Sequence, residues 1–210
     1  VDVEAVFAAS AAERRAVADL LESLDEAALA TPSLCRGWDV RTVGAHLANA
    51  ITAHVLPFVL LSIRYGSFDR ANDQMSRRTA RQSRTEIVAT LRAHADSRFS
   101  PPGTGPRAPL TDVLVHSGDM RRPLGLPHEP PADRVRTALE FLTGSRTVGF
   151  VRRGALRDLR LVASDIDVSF GSGPELRGRG ADLMMAACGR VPVLAELSGD
   201  GVEVLRSRLA

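Results

Sequence analysis

The sequence predicts a mostly α-helical protein, a bundle of at least four long helices over residues 1–152 followed by a small α/β domain over 153–210. Three observations predict it. Apolar residues recur at helical spacing through most of the chain. The period changes to two beyond about Leu156, as in strands. The composition, 44% hydrophobic and 25% charged in 210 residues, is that of a folded domain and not of a disordered or fibrous chain.

The first helix reads from Val3 to Leu24. Val3, Val6, Phe7, Val17, Leu20, Leu21 and Leu24 share its apolar face, with Glu13, Arg14 and Arg15 off that face. Thr31-Pro32-Ser33 and Gly37 break the chain, and Asp39 suits the N-cap of a second helix from Val40 to about Arg64, kinked or shortened at Pro57. Tyr65-Gly66-Ser67 reads as a turn before a helix over Asp69–Arg81. Ser83-Arg84-Thr85-Glu86 matches a capping box, opening a helix to about Arg98 with Ile87, Val88, Leu91 and Ala95 inward.

Ser100 to Pro106 is a loop by composition, and Pro109 suits the first turn of a helix over Leu110–Arg122, ended by Pro123 and Gly125. After a linker from Pro127 to Pro131, Ala132–Val151 reads as a further helix. Leu159, Leu161 and Ala163 then alternate with Arg160, Val162 and Ser164, and Asp165 to Phe170 alternates in turn. Gly171-Ser172-Gly173 is a turn, and Ala181–Cys188 and Val202–Leu209 read as short helices.

Composition removes several function classes. The 27 basic and 25 acidic residues leave a net charge of +2, so nothing pulls the chain toward nucleic acid or anionic lipid. One Trp and one Tyr supply no stacking platform for single strands. Every basic residue is Arg, which excludes Schiff-base chemistry and a phosphate-cradling lysine. Cys35 and Cys188 cannot form a cysteine zinc cage or a secreted disulfide framework, and read as reduced, partly buried thiols. The longest apolar run, Val55–Ile63, is interrupted by Pro57 and Ser62 and falls short of the roughly 20 residues of a membrane span. With no signal-like opening segment, the expectation is a cytoplasmic protein.

The chemistry concentrates in Asp112-Val113-Leu114-Val115-His116-Ser117-Gly118-Asp119. On a helix Asp112 and His116 lie one turn apart on one side, with Asp119 close to both and Leu110, Val113, Ser117 and Met120 on the adjoining face. An i, i+4 carboxylate–His pair can share one ion, although the comparable pairs of metal-binding bundles are spaced by three. A further ligand must come from another helix. His46 is the best candidate, because its neighbours Ala45, Asn49 and Ala50 leave room beside the ring. Two His and one carboxylate keep a coordination position open, the pattern of catalytic zinc.

The competing reading is that these are hydrogen-bonded helix partners and no more. His54 reads as a core histidine with a ligand role as the alternative, while His94 and His128 read as exposed. Arg121-Arg122 could meet an anionic substrate or balance the dipole at a helix end. Arg152-Arg153 reads as solvated linker charge.

Taken together, Gly-Trp-x-Val-Arg-x-Val-x-Ala-His-Leu at 37–47, Asp-x-x-x-His-x-x-Asp-x-Arg-Arg-Pro-Leu-Gly at 112–125 and Gly-Pro-Glu-Leu-Arg-Gly at 173–178 resemble the mycothiol-dependent maleylpyruvate isomerase family. Leu197-Ser198-Gly199-Asp200-Gly201 fits the tail of the same family. The resemblance implies a DinB/YfiT-like four-helix bundle holding a divalent metal, usually zinc, on His46, Asp112 and His116. The founding isomerase carries Glu where Asp112 stands, one methylene longer. The resemblance also implies mycothiol as cofactor, an actinobacterial cytosolic setting, and a substrate-contacting Arg from the C-terminal domain, for which Arg160, Arg177 and Arg190 all qualify.

The function implied is a metal- and mycothiol-dependent isomerase or thiol transferase. A metal-bound thiolate would attack a small electrophilic substrate, and for a cis-enedioate bond rotation and loss of thiol would give the trans isomer. Asp119 and Arg121 are the catalytic candidates beside the ligands, Asp119 by orienting a His ring or by capping its turn. The alternative is a non-catalytic metal-binding or stress-response bundle, or an interaction protein packing through Val55–Ile63. Partners are a small-molecule thiol and an electrophile, with no nucleic acid, no membrane and a homodimer left open.

Overall fold

Asp2 opens the first helix by accepting from the Glu4 and Ala5 N–H groups, and α1 runs Val3–Ser23. The computed structural model describes residues 2–52, 63–101, 103–147 and 149–210. His54, the Pro57 kink and all of the Val55–Ile63 segment except Ile63 fall outside those residues. The chain divides into two compact units, Val1–Pro127 and His128–Ala210. That division comes earlier than the expected change at residue 152, because the helix over 132–142 packs on a helix of the C-terminal unit.

In the first unit α2 (Glu26–Leu29), α3 (Val40–Thr52), α4 (Phe68–Thr79), α5 (Arg84–Ala93) and α6 (Arg107–Arg121) follow α1. α1 packs on α5 and α6, and α3 packs on α4, α5 and α6. Val17, Leu20, Leu21, Val43, Leu47, Ile51, Ile87, Leu91, Val113 and Met120 form the shared core. Each such side chain contributes on the order of 1.5–3 kcal/mol through burial. Asp39 caps α3 by accepting from the Thr42 N–H at 2.7 Å, and Ser83 with Glu86 makes the expected capping box.

Small residues set the approach of α3 to α1. A Cβ added at Gly44 would lie 2.6 Å from Leu21 Cδ1, so any larger residue there requires the Leu21 side chain to move. Arg14 is the main departure from the expected helical face. Placed off the apolar side by spacing, it is 3% exposed and donates to the Ala95 and Ser97 carbonyls at 2.8 and 2.7 Å. Those two bonds hold the chain as it leaves α5, which stops at Ala93 and not near Arg98. Glu13 is buried as well, whereas Val3 is exposed and Phe7 lies under the Arg98 guanidinium.

The second unit opens with α7 (Ala132–Leu142), shorter than the expected helix to Val151 because Thr143 caps it and Gly144 folds back on the Phe141 carbonyl. β1 (Arg160–Ala163), β2 (Val168–Gly171) and β3 (Glu175–Gly178) form a sheet of order β2-β1-β3, antiparallel between β1 and β2 and parallel between β1 and β3. Leu161 and Ala163 face inward, as their alternation requires. Asp165–Asp167, expected as strand, forms the connecting turn. Gly173 has φ +118°, and a Cβ there would meet the Asp158 carbonyl oxygen at 2.3 Å. α8 (Gly180–Ala187), a 3-10 turn over Val191–Glu196 and α9 (Gly201–Leu209) complete the unit. His128, expected at the surface, is 9% exposed. Among the described residues no helix is long and apolar enough to cross a membrane.

Candidate metal centre

α6 carries Asp112, His116, Asp119 and Arg121, and α3 carries His46. Asp112, His116 and Asp119 repeat at intervals of four and three along α6, which stacks them on one side of the helix. His46 enters from α3, whose start is set by the Asp39 cap and whose depth is set by Gly44. His46 Nε2 lies 3.7 Å from Asp112 Oδ1, and His116 Nε2 lies 3.5 Å from the same oxygen. The two imidazoles meet edge to face with centroids 4.7 Å apart. The His side chains are 11% and 12% exposed and Asp112 23%, so the cluster is sheltered but not sealed.

The outer nitrogens of both rings are engaged. His116 Nδ1 lies 2.9 Å from Oδ2 of Asp119, whose side chain has no exposure. His46 Nδ1 lies 3.0 Å from Asn72 Oδ1 on α4. Carboxylate and amide oxygens only accept, so each Nδ1 carries a proton. The Nε2 atom of each ring is left to face Asp112. The Trp38 ring stacks at a tilt on His46 with centroids 5.3 Å apart, while its Nε1 donates to Asp73 at 2.7 Å. Asp73 also accepts from Arg77, which donates to the Gly37 carbonyl, so the loop before α3 is fastened to α4.

Electrostatics bind the cluster together. Burial works against charge on Asp112, but His116 and His46 outweigh it and hold that carboxyl far below the usual carboxylate range. Burial likewise works against a charged His116, and the acidic groups around it, Asp112 and Asp119 among them, outweigh it and raise the imidazole well above its ordinary value.

Among the described residues, two donor groups satisfy the proximity a metal requires. His46, Asp112 and His116 each offer one donor atom, all within 4.8 Å of one another, and Cys35, His116 and Asp119 do the same. The first set fits an ion better. Donors about 2.0–2.2 Å from a tetrahedral ion lie roughly 3.3–3.5 Å apart, close to the 3.5 and 3.7 Å of the Nε2–Oδ1 pairs. In the second set the 2.9 and 3.0 Å contacts to Asp119 are hydrogen-bond distances.

Other expectations resolve differently. Arg121, the other catalytic candidate, is the last residue of α6. It stands nine residues beyond Asp112, half a turn round at about 100° per residue, and its Nε donates to Ser117 at 3.2 Å. Arg160 and Arg177 pair with Glu175, and Arg190 donates to the Cys188 carbonyl, all within the C-terminal unit. A cavity of about 600 Å³ in that unit is lined by Arg152, Arg153, Arg157, Arg208, Gly154 and Ser207, which offer no metal donor of the usual kind. Spacing gives no sign of Cys35 and Asn72 at the cluster, which they touch from elsewhere in the chain.

Comparison with known proteins gives the family. The model of the mycothiol maleylpyruvate isomerase N-terminal domain matches residues 10–166, which is most of the chain and extends through β1 of the second unit. The chain belongs to this family. Two solved structures share its fold. A crystal structure of the mycothiol-dependent maleylpyruvate isomerase matches with TM-score 0.64 and 14% identity over 95% of this chain and 93% of that one. A histidine-to-alanine mutant of the mycothiol-dependent maleylpyruvate isomerase matches with TM-score 0.62 and 15% identity over the same shares. A comparison with curated proteins finds no matching sequence. The four-helix bundle with a small α/β unit expected from the sequence is the fold of these relatives.

Proposed function

We propose that this protein is a metal- and mycothiol-dependent enzyme, an isomerase or thiol transferase, with His46, Asp112 and His116 as the ligands of a divalent ion, zinc first among them. One observation carries the reading. Three electron-pair donors on two helices face one another, and the Nδ1 contact of each ring turns its Nε2 toward Asp112. The Nε2–Oδ1 distances of 3.5 and 3.7 Å are longer than a direct hydrogen bond and match the separation of two donors that share one tetrahedral ion. Zinc held there would leave a position for a thiol and favour its thiolate, the nucleophilic form.

The chain's own residues supply positioning. Asp119, its side chain fully buried, holds the His116 ring and its tautomer and does not reach substrate. Asn72 does the same for His46, with the Trp38 ring packed on it. Arg121 stands outside this proposal. Asp112 in place of a longer Glu sets the carboxylate oxygen one methylene nearer α6. Cys35 and Cys188, both present as thiols, suit a reducing cytoplasm.

The test is a panel of cis-enedioates and soft electrophiles assayed with the zinc-loaded protein, with and without mycothiol. The reading expects turnover that needs both zinc and the thiol and disappears in His116→Ala. Zinc uptake with no thiol-dependent turnover across the panel would refute the enzymatic half of it.

A further inference from the structure

Asp119 is held by the loop that precedes α3. The Leu34 N–H donates to the Asp119 carbonyl at 3.1 Å, and Cys35 Sγ lies 3.0 Å from Asp119 Oδ2, the same oxygen that faces His116 Nδ1 at 2.9 Å. Cys35 Sγ also lies 3.5 Å from His116 Nδ1. The loop holds its own shape. Ser33 Oγ donates to the Trp38 carbonyl and accepts from the Cys35 N–H, and the Trp38 N–H returns to the Cys35 carbonyl. A closed turn therefore presents the sulfur, and it leads directly into α3, the helix that carries His46.

We infer that Cys35 is a positioning residue for the metal centre: its thiol and the Leu34 N–H clasp Asp119, and so hold the His116 ring on α6 in register with His46 on α3. The inference rests on the metal-site reading above, and deepens it by giving the loop before α3 a role in the ligand geometry. The thiol donates to a carboxylate whose side chain has no exposure, so removing it takes a hydrogen bond from a buried, charged acceptor. Outer partners of metal-bound histidines typically change affinity by about 10- to 100-fold.

The test compares zinc affinity of wild type, Cys35→Ala and Cys35→Ser by competition with a chromophoric chelator, alongside melting temperature and the His116 Nδ1 proton signal of the metal-free protein. Cys35→Ala is expected to bind zinc about 10-fold more weakly, with the Nδ1 signal broadened by exchange with water. Cys35→Ser, which keeps a donor, is expected to retain most of the affinity and the signal. Wild-type affinity and an unchanged signal in Cys35→Ala would overturn the inference, as would an equal loss in both variants at unchanged melting temperature. If Cys35→Ala does not fold, Cys35→Ser decides: affinity and signal near wild type support the clasp, and loss of both in a folded protein overturns it. If no form takes up zinc, the metal reading fails, and the Nδ1 signal alone tests the clasp.

Discussion

Replacing Asp119 by Asn keeps the shape of the side chain and removes its charge. In the wild type its Oδ2 lies 2.9 Å from His116 Nδ1 and the side chain has no exposure, so the bond is charge-assisted and unscreened by water. A charge-assisted bond contributes about 1.5–3 kcal/mol against about 0.5–1.5 kcal/mol for a neutral one. The amide also withdraws less proton density from Nδ1, leaving Nε2 a weaker donor. Zinc affinity should therefore fall about 10- to 100-fold, or roughly 1.4–2.7 kcal/mol. Competition with a chelator at fixed pH measures it, with a thermal melt of the metal-free variant as control. An Asp119→Asn protein that binds zinc within about twofold of wild type, while His116→Ala does not bind, would refute the argument that this carboxylate sets the ligand.

Zinc binding should depend on pH with a definite sign. The raised pKa of His116 leaves it protonated near neutral pH without metal, and its Nε2 proton must leave when zinc binds, so affinity rises with pH until His116 has titrated. Asp112 is already ionised there and releases none. Calorimetry in two buffers of different ionisation enthalpy should show about one proton released per zinc, and no release would contradict the assignment. Gly44→Ala should destabilise the first unit by about 1–3 kcal/mol, because its Cβ would stand 2.6 Å from the buried Leu21 side chain. A urea melt checks this, and a wild-type midpoint would show that Leu21 gives way freely.

Much of the centre is legible in the sequence because it lies on regular helices. Asp112, His116 and Asp119 share a side of α6 by spacing alone, and Asp39 announces the start of the helix that carries His46. The partners that complete it are not legible, since Cys35 and Asn72 reach the rings through tertiary contacts 81 and 26 residues apart in sequence. Arg14 departs from its expected place for a related reason: helical spacing cannot anticipate that two carbonyls from the end of α5 will need a donor. β3 leaves no alternating pattern because Leu176 is its one buried residue. The periodicity runs past the end of α7 because that end rests on Thr143 and Gly144 and not on a proline.

X-ray absorption at the zinc edge of the reconstituted protein, without added thiol, reads the ligand set itself. The expected spectrum is a shell of nitrogen and oxygen donors at about 2.0–2.2 Å with the signature of two imidazoles, lost in His46→Ala and in His116→Ala. A sulfur donor at about 2.3 Å would place the ion on Cys35 instead and contradict it, as would a protein that takes up no zinc.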